Sequence, residues 1–183
     1  MTRLQLRDLP DPGSLSRVPY DHARWPEHVA RVAHTAAILA AMVPASVADL
    51  SCGDGAVVTA AGLAASAILG DVAAGWPWCG LIEDTVTRIP AVDVFVCSET
   101  LEHVADPDWL LAAIRGKAAR LLLSTPAGEG YRGNPEHVWS WDVADLEAML
   151  TAAGWEQREV ELYTPPPASG SAAYYTYQIW VCS

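Results

Sequence analysis

The sequence predicts an α/β protein built on a doubly wound sheet, mostly parallel with one antiparallel edge strand, in one compact domain. Three observations carry that expectation. Short apolar runs of strand length alternate with helical stretches from Val47 to Ser124. That order yields parallel strands joined by crossovers. A glycine turn, Ser51-Cys52-Gly53-Asp54-Gly55, links the first of these runs to a helix. After the last helix the chain ends in two strand-like runs around Pro165-Pro166-Pro167, a spacing that suits a hairpin.

The chain of 183 residues is the size of a single domain. Residues 1–45 are expected as an N-terminal arm and helix, and 46–183 as the core that carries the ligand site. The prolines and glycine of 1–19 predict an irregular arm. Pro26 opens a helix over Glu27–Met42, because proline needs no N–H in the first turn. Pro44 ends it. Val47–Ser51 is the first strand, Ala56–Ala65 its helix and Ser66–Gly70 the second strand. Residues 72–78 are too short and broken for a crossover helix, so a reduced connection leads to a strand at Cys79–Ile82. Asp93–Cys97 has the apolar character of a strand inside a parallel sheet. A helix over Asp108–Lys117 and a strand over Arg120–Ser124 follow. Thr125–Trp141 is a long loop, a length that in compact domains goes with function. Asp142 caps a helix over Val143–Ala153, and Gly154 closes it. Glu156–Tyr163 and Ala173–Val181 are the hairpin strands.

Composition narrows the partners. Apolar residues make up 51% of the chain, which suits a globular fold. The net charge is -11 and the basic residues are scattered. Proteins that grip phosphate backbones carry basic stripes, so long nucleic acids are disfavoured. Cys52, Cys79, Cys97 and Cys182 show no C-x-x-C pairing and are expected as buried free thiols in a reducing compartment. The N-terminus has no apolar signal region, and no window approaches a membrane span. A cytoplasmic protein with no membrane partner is expected.

The glycine turn brings the backbone close to a ligand and offers the following helix's free N–H groups. Asp71 lies 18 residues beyond Gly53, at the tip of the second strand. An acid at that distance holds a ribose diol, because a carboxylate accepts from both hydroxyls. A nicotinamide dehydrogenase is disfavoured, since no third glycine follows Gly55.

These features together resemble class I S-adenosylmethionine-dependent methyltransferases of the small-molecule group, which have a Rossmann-like fold. The resemblance spans Val47 to the C-terminus. It rests on Asp49-Leu50-Ser51-Cys52-Gly53-Asp54-Gly55, Asp71, Glu83-Asp84, Leu101-Glu102-His103-Val104 with Asp106-Pro107, Ser124-Thr125-Pro126 and Gly154-Trp155. It implies that Asp49, Gly53 and Gly55 surround the methionine part of S-adenosylmethionine. Asp71 would hold its ribose, and Asp84 or Glu83 its adenine amino group. Ser98 and Glu99 would lie near the sulfonium. Ser51 stands in this cofactor turn where the family has its first glycine, a departure that alters the turn.

Glu99-x-x-Glu102-His103 places two carboxylates and an imidazole at positions that share one face if the chain turns helical there. His137, from the long loop, is the fourth candidate ligand. Such an oxygen and nitrogen set suits a divalent ion such as Mg²⁺ or Mn²⁺ without selecting one. The pattern resembles two groups of metal-assisted methyltransferases, those of the ubiquinone pathway and those acting on small-RNA 3′ ends. In both, the carried-over ligands would be Glu99, Glu102, His103 and His137. The alternative is a metal-free pocket in which His103 or His137 is the catalytic base, and the sequence leaves both open.

Tyr20 and His28 beside the first helix, with Tyr131 and Trp139 in the long loop, are the candidate contacts for the acceptor. A second subunit is a further source, so a homodimer is considered. The reading that results is methyl transfer from S-adenosylmethionine to a small molecule, most readily at a hydroxyl oxygen. Two alternatives stand beside it. One is an RNA 3′-end 2′-O-methyltransferase. The other is a binding or scaffold protein that kept the fold without catalysis. An N-P-P-Y-like segment and a Pro-Cys nucleophile, which base methylation would need, are both absent after the fourth strand.

Overall fold

The computed structural model describes residues 3–9, 20–130, 134–167 and 175–183. Strands are β1 (Leu4–Gln5), β2 (Val47–Asp49), β3 (Ala67–Asp71), β4 (Trp78–Cys79), β5 (Val92–Ser98), β6 (Ala118–Pro126), β7 (Trp139–Ser140), β8 (Gln157–Tyr163) and β9 (Tyr177–Cys182). Helices are α1 (Pro26–Ala41), α2 (Ala56–Ala60), α3 (Ile82–Thr85), α4 (Pro107–Arg115) and α5 (Val143–Ala152).

Seven strands form one sheet in the order β4-β3-β2-β5-β6-β9-β8. Pairs from β4 through β6 are parallel. β9 runs antiparallel to both β6 and β8, so a single reversed strand lies inside the edge hairpin. β2 pairs with both β3 and β5. There the strand order changes direction, and such a switch point opens a crevice at the strands' carboxyl ends.

Alternation along the strands fills two apolar layers. Val94 and Val96 of β5 join Val32 and Leu39 of α1 and Val57 and Val58 of α2 on one face. Phe95 and Cys97 join residues of α3, α4 and α5 on the other. Period-two side chains on a strand buried on both sides produce this division. α1 turns Arg31, Val32, Thr35, Ala36 and Leu39 inward, the spacing of a helical stripe. Asp106 and Asp142 cap α4 and α5, accepting from the amides of Trp109 and Asp145.

The structure departs from the sequence reading in four places. The strand expected at Cys79–Ile82 is Trp78–Cys79, and Ile82–Thr85 is helical. Gly80, at φ +150°, breaks the strand between them. The helix expected over Ala56–Ala65 stops at Ala60 because Gly62 takes φ +76°. The arm and the long loop are partly ordered by each other, as Leu4–Gln5 pairs antiparallel with Trp139–Ser140. Cys79 is exposed, unlike the other three thiols. Among the described residues no helix is long and apolar enough to cross a membrane.

Candidate active site

The crevice begins at the turn between β2 and α2. Gly53 and Gly55 adopt φ +58° and +74°, where a Cβ is strained. Space is tight there as well. A Cβ on Gly53 would lie 2.9 Å from His22 Cε1, and one on Gly55 3.1 Å from Trp76 Cη2. Ser51 ties the turn to the end of β5, its Oγ lying 2.6 Å from Thr100 Oγ1. The altered turn thus gains a cross-strand hydroxyl contact that glycine could not make.

Two acids flank the turn. Asp71 Oδ2 accepts from the Gly53 amide and Oδ1 from the Ala73 amide, each at 2.8 Å. Asp49 is buried and accepts from the Ser51 amide at 3.3 Å. Burial pushes its carboxyl up to about 7, the Ser51 contact opposes this and the Asp71 charge adds to it. Trp76 donates its indole N–H to the Gly53 carbonyl at 2.9 Å. Glu83 and Asp84 lie on α3; Glu83 accepts from the Ala105 amide at 3.3 Å and Asp84 is exposed.

The segment before α1 covers the turn. Asp54 accepts from the His22 amide at 3.1 Å, and its other oxygen lies 2.7 Å from His22 Nδ1. Tyr20 Oη is 3.1 Å from His28 Nδ1, with the two rings stacked at 5.6 Å. Burial, then the charge of Arg31, lowers the His28 pKa to about 4, so His28 is neutral at pH 7.

Beyond Ser98 the chain does not enter an α-helix. Glu99 takes φ +52°, and a 3₁₀ turn follows over Leu101–His103. The i, i+3, i+4 face expected from the sequence therefore does not form. Glu99 Oε1 accepts from the Ser124 hydroxyl at 2.8 Å, and burial lifts its carboxyl to about 7 against the pull of Arg31. Glu102, His103 and His137 do converge, with a ligand atom from each lying within 4.8 Å of the others. Glu102 is buried, with one oxygen accepting from Thr125 at 3.0 Å. The other has no hydrogen-bond partner and lies 4.0 Å from His137 Nε2.

Both imidazoles are oriented through Nδ1. His103 Nδ1 donates to the Glu136 carbonyl at 3.0 Å, and His137 Nδ1 meets the Glu129 carboxylate. That fixes the tautomer and leaves Nε2 as the chemically active atom. Burial lowers the His103 pKa. Burial acts the same way on His137, but the Glu129 hydrogen bond and the charges of Glu102 and Glu129 outweigh it and hold that pKa above the usual imidazole value. Glu129 is itself fixed, since Oε1 accepts from the Asn134 amide at 2.6 Å and from Tyr175 at 3.1 Å.

The N-terminal arm fastens this loop. Arg7 Nη1 donates to the carbonyls of Asn134 and His137 at 2.7 and 3.0 Å. The Leu6 amide donates to the Val138 carbonyl at 2.7 Å. Trp139 is packed into the same junction. Its indole donates to the Val104 carbonyl at 2.8 Å, and Arg3 covers its ring at 4.2 Å. Tyr131 lies outside the described residues.

Sequence reasoning missed Arg31, Glu129, Asn134 and Tyr175. Arg31 left one signal, a charge inside an otherwise apolar helix. Glu129 and Tyr175 left none, because loop and hairpin residues meet through no periodicity.

No family model and no curated protein matches the chain. Solved structures share its fold. One is the 1,6-didemethyltoxoflavin-N1-methyltransferase of Burkholderia thailandensis, with bound 1,6-didemethyltoxoflavin and S-adenosylhomocysteine. It superposes at TM-score 0.62 with 18% identity, over 84% of this chain and 77% of that one. The magnesium protoporphyrin IX methyltransferase of Synechocystis PCC 6803, with bound S-adenosylhomocysteine, gives 0.61 with 16% identity over 89% and 87%. The YcgJ protein of Bacillus subtilis gives 0.60 with 11% identity over 81% and 96%. At these identities the likeness speaks for architecture: the chain has the Rossmann-like fold found in S-adenosylmethionine-dependent methyltransferases.

Proposed function

We propose that the chain transfers a methyl group from S-adenosylmethionine to a hydroxyl oxygen of a small-molecule acceptor. One observation carries this reading. Two positive-φ glycines and two acids, Asp49 and Asp71, meet at the switch point of this fold, and the loop after β6 carries a histidine oriented by a buried glutamate.

The donor fits the residues present. Gly53 and Gly55 supply the positive-φ turn that bends the backbone back at the switch point, with His22 and Trp76 packed against it. Each Asp71 oxygen accepts one amide and keeps a lone pair for a ribose hydroxyl. Asp49 is a buried acid with a single amide partner, suited to the ammonium group of the methionyl arm. S-adenosylmethionine supplies a methyl group already activated on its sulfonium. The protein must then align the acceptor and take its proton. His137 Nε2 is the proton acceptor, with Glu129 on Nδ1 stabilising the imidazolium. Tyr20 and His28 close the side of the crevice nearest the glycine turn.

A second reading rests on the unpartnered Glu102 oxygen. It faces two imidazoles oriented through Nδ1, the pattern of outer-shell support around a metal. Glu102, His103 and His137 would hold a divalent ion, which would lower the pKa of an acceptor hydroxyl. Asn134 Nδ2, 3.2 Å from His137 Nε2, would have to yield.

Calorimetric titration of S-adenosylmethionine into metal-stripped protein, repeated with Mg²⁺ and Mn²⁺, tests both readings. Cofactor binding without metal is expected. Its absence would refute the methyltransferase reading. Stoichiometric Mn²⁺ binding that is lost in Glu102→Ala would establish the metal-assisted form.

The arm gives a separate prediction. Arg7→Ala strips a charged donor from two carbonyls of the His137 loop, contacts worth about 1.5–3 kcal/mol each. Methyl transfer, followed as S-adenosylhomocysteine release, is expected to fall about tenfold or more, with donor affinity unchanged. Equal turnover in the variant would show that the arm does not position His137.

A further inference from the structure

We propose that Arg31 seats the carboxylate of a ligand at the tip of β5, within the site assigned to methyl transfer. Arg31 projects from α1 and is 2% exposed. Its Nη1 donates to Ser98 Oγ at 2.9 Å, and its guanidinium lies 5.5 Å from the Tyr177 ring centroid. Nε is buried with no hydrogen-bond partner. Among the described residues no carboxylate stands within ion-pair distance of it.

A buried guanidinium without an anion is costly. Neutral contacts to a serine hydroxyl and a tyrosine face compensate it only in part. Glu99 and Glu102 feel its charge, yet their contacts go to the hydroxyls of Ser124 and Thr125. His28, one turn earlier on α1, is neutral and adds no competing cation. The unmet charge therefore belongs to Arg31.

Geometry selects the kind of anion. Ser98 occupies Nη1, which leaves the Nε–Nη2 edge, the edge that grips a carboxylate through two parallel hydrogen bonds. Ser98 closes β5 beside the switch point, so the guanidinium it holds lies at the carboxyl ends of the strands, where such sheets take their ligands. Two carboxylates can reach such a position under the methyltransferase reading on which this rests. One is that of the donor's methionyl arm. The other is that of an acceptor that is itself an acid.

The test is calorimetry on wild type, Arg31→Met and Arg31→Lys with three probes: S-adenosylmethionine, its decarboxylated analogue, and benzoate. Arg31→Met is expected to lose about 10- to 100-fold in affinity for one carboxylate probe, the range of a charge-assisted pair. Arg31→Lys, which keeps the charge without the fork, should recover part of it. Loss for S-adenosylmethionine with none for the decarboxylated analogue assigns the seat to the donor. Loss for benzoate with donor affinity intact assigns it to the acceptor. Melting curves on both variants confirm folding, and Arg31→Lys decides the matter if Arg31→Met does not fold. Benzoate binding that depends on Arg31, with no S-adenosylmethionine binding, would keep the seat and discard the methyltransferase reading. Unchanged affinity for both carboxylates in the variants, or a wild type that binds neither, overturns the proposal.

Discussion

Asp49→Asn is expected to stabilise the ligand-free protein at pH 8 while weakening its hold on the methyl donor. The Asp49 carboxyl is buried and its pKa rises from 3.8 to about 7 on folding. Below pH 3.8 the group is protonated in both states and costs nothing. Above that value the unfolded chain ionises it first, so stability falls as pH rises and the full cost is reached above about 7. The shift corresponds to a penalty on the order of 4 kcal/mol at pH 8. Asparagine does not ionise, and its side-chain oxygen still accepts from Ser51. Thermal melts should show near-equal stability at pH 4 and a variant melting about 10 °C higher at pH 8. The same change would remove the anion proposed for the donor's ammonium group, and affinity should drop about tenfold or more. A stability difference that does not vary with pH would refute the account of Asp49.

Asp71→Ala is expected to produce the largest loss of donor binding. The carboxylate would hold two ribose hydroxyls, each through a charge-assisted hydrogen bond worth about 1.5–3 kcal/mol. Losing both corresponds to a fall on the order of 100-fold or more. The contacts of Asp71 within the protein add a second contribution. Asp71 joins the Gly53 and Ala73 amides, so alanine also releases the glycine turn from the tip of β3. Asp71→Asn keeps one acceptor oxygen and should fall between wild type and alanine. Calorimetric titration reads the series, and circular dichroism confirms the fold. Unchanged affinity in Asp71→Ala would place the ribose elsewhere and remove the main support for the cofactor assignment.

Much of the fold was legible because local chemistry and global architecture agree. Glycine at 53 and 55, the apolar run of β5 and the cap at Asp142 each specify their element within a few residues of chain. Errors fell where a single residue overrides a run. Gly62 stops α2 early, and Gly80 turns an apolar stretch into a two-residue strand and a helical turn. The pairing of β1 with β7 was hidden because each strand is two residues long and its partner lies more than a hundred positions away.

The candidate site was legible only in part. Glu102 and His103 follow from the E-x-x-E-H spacing and His137 from the long loop, and these three do meet, without Glu99, the fourth expected ligand. The helical face that was to gather them does not exist, because Glu99 turns to φ +52° and bonds Ser124. Convergence comes instead from the loop after β6, held by Arg7 and Glu129.

The sequence by itself determined the order of elements, the glycine turn and the acids at the strand tips. These follow from backbone preference and side-chain period, which act over short stretches of chain. Only the tertiary structure decided which groups share a dry space and what that space does to them. Arg31, Glu99, Glu129, His137 and Tyr175 come from four separate segments, Glu129 and His137 sharing the loop after β6. The protonation of Glu99, Glu129 and His137 depends on burial and on distances between those segments. Desolvation and Coulomb energies are properties of position in three dimensions, and no local pattern encodes them.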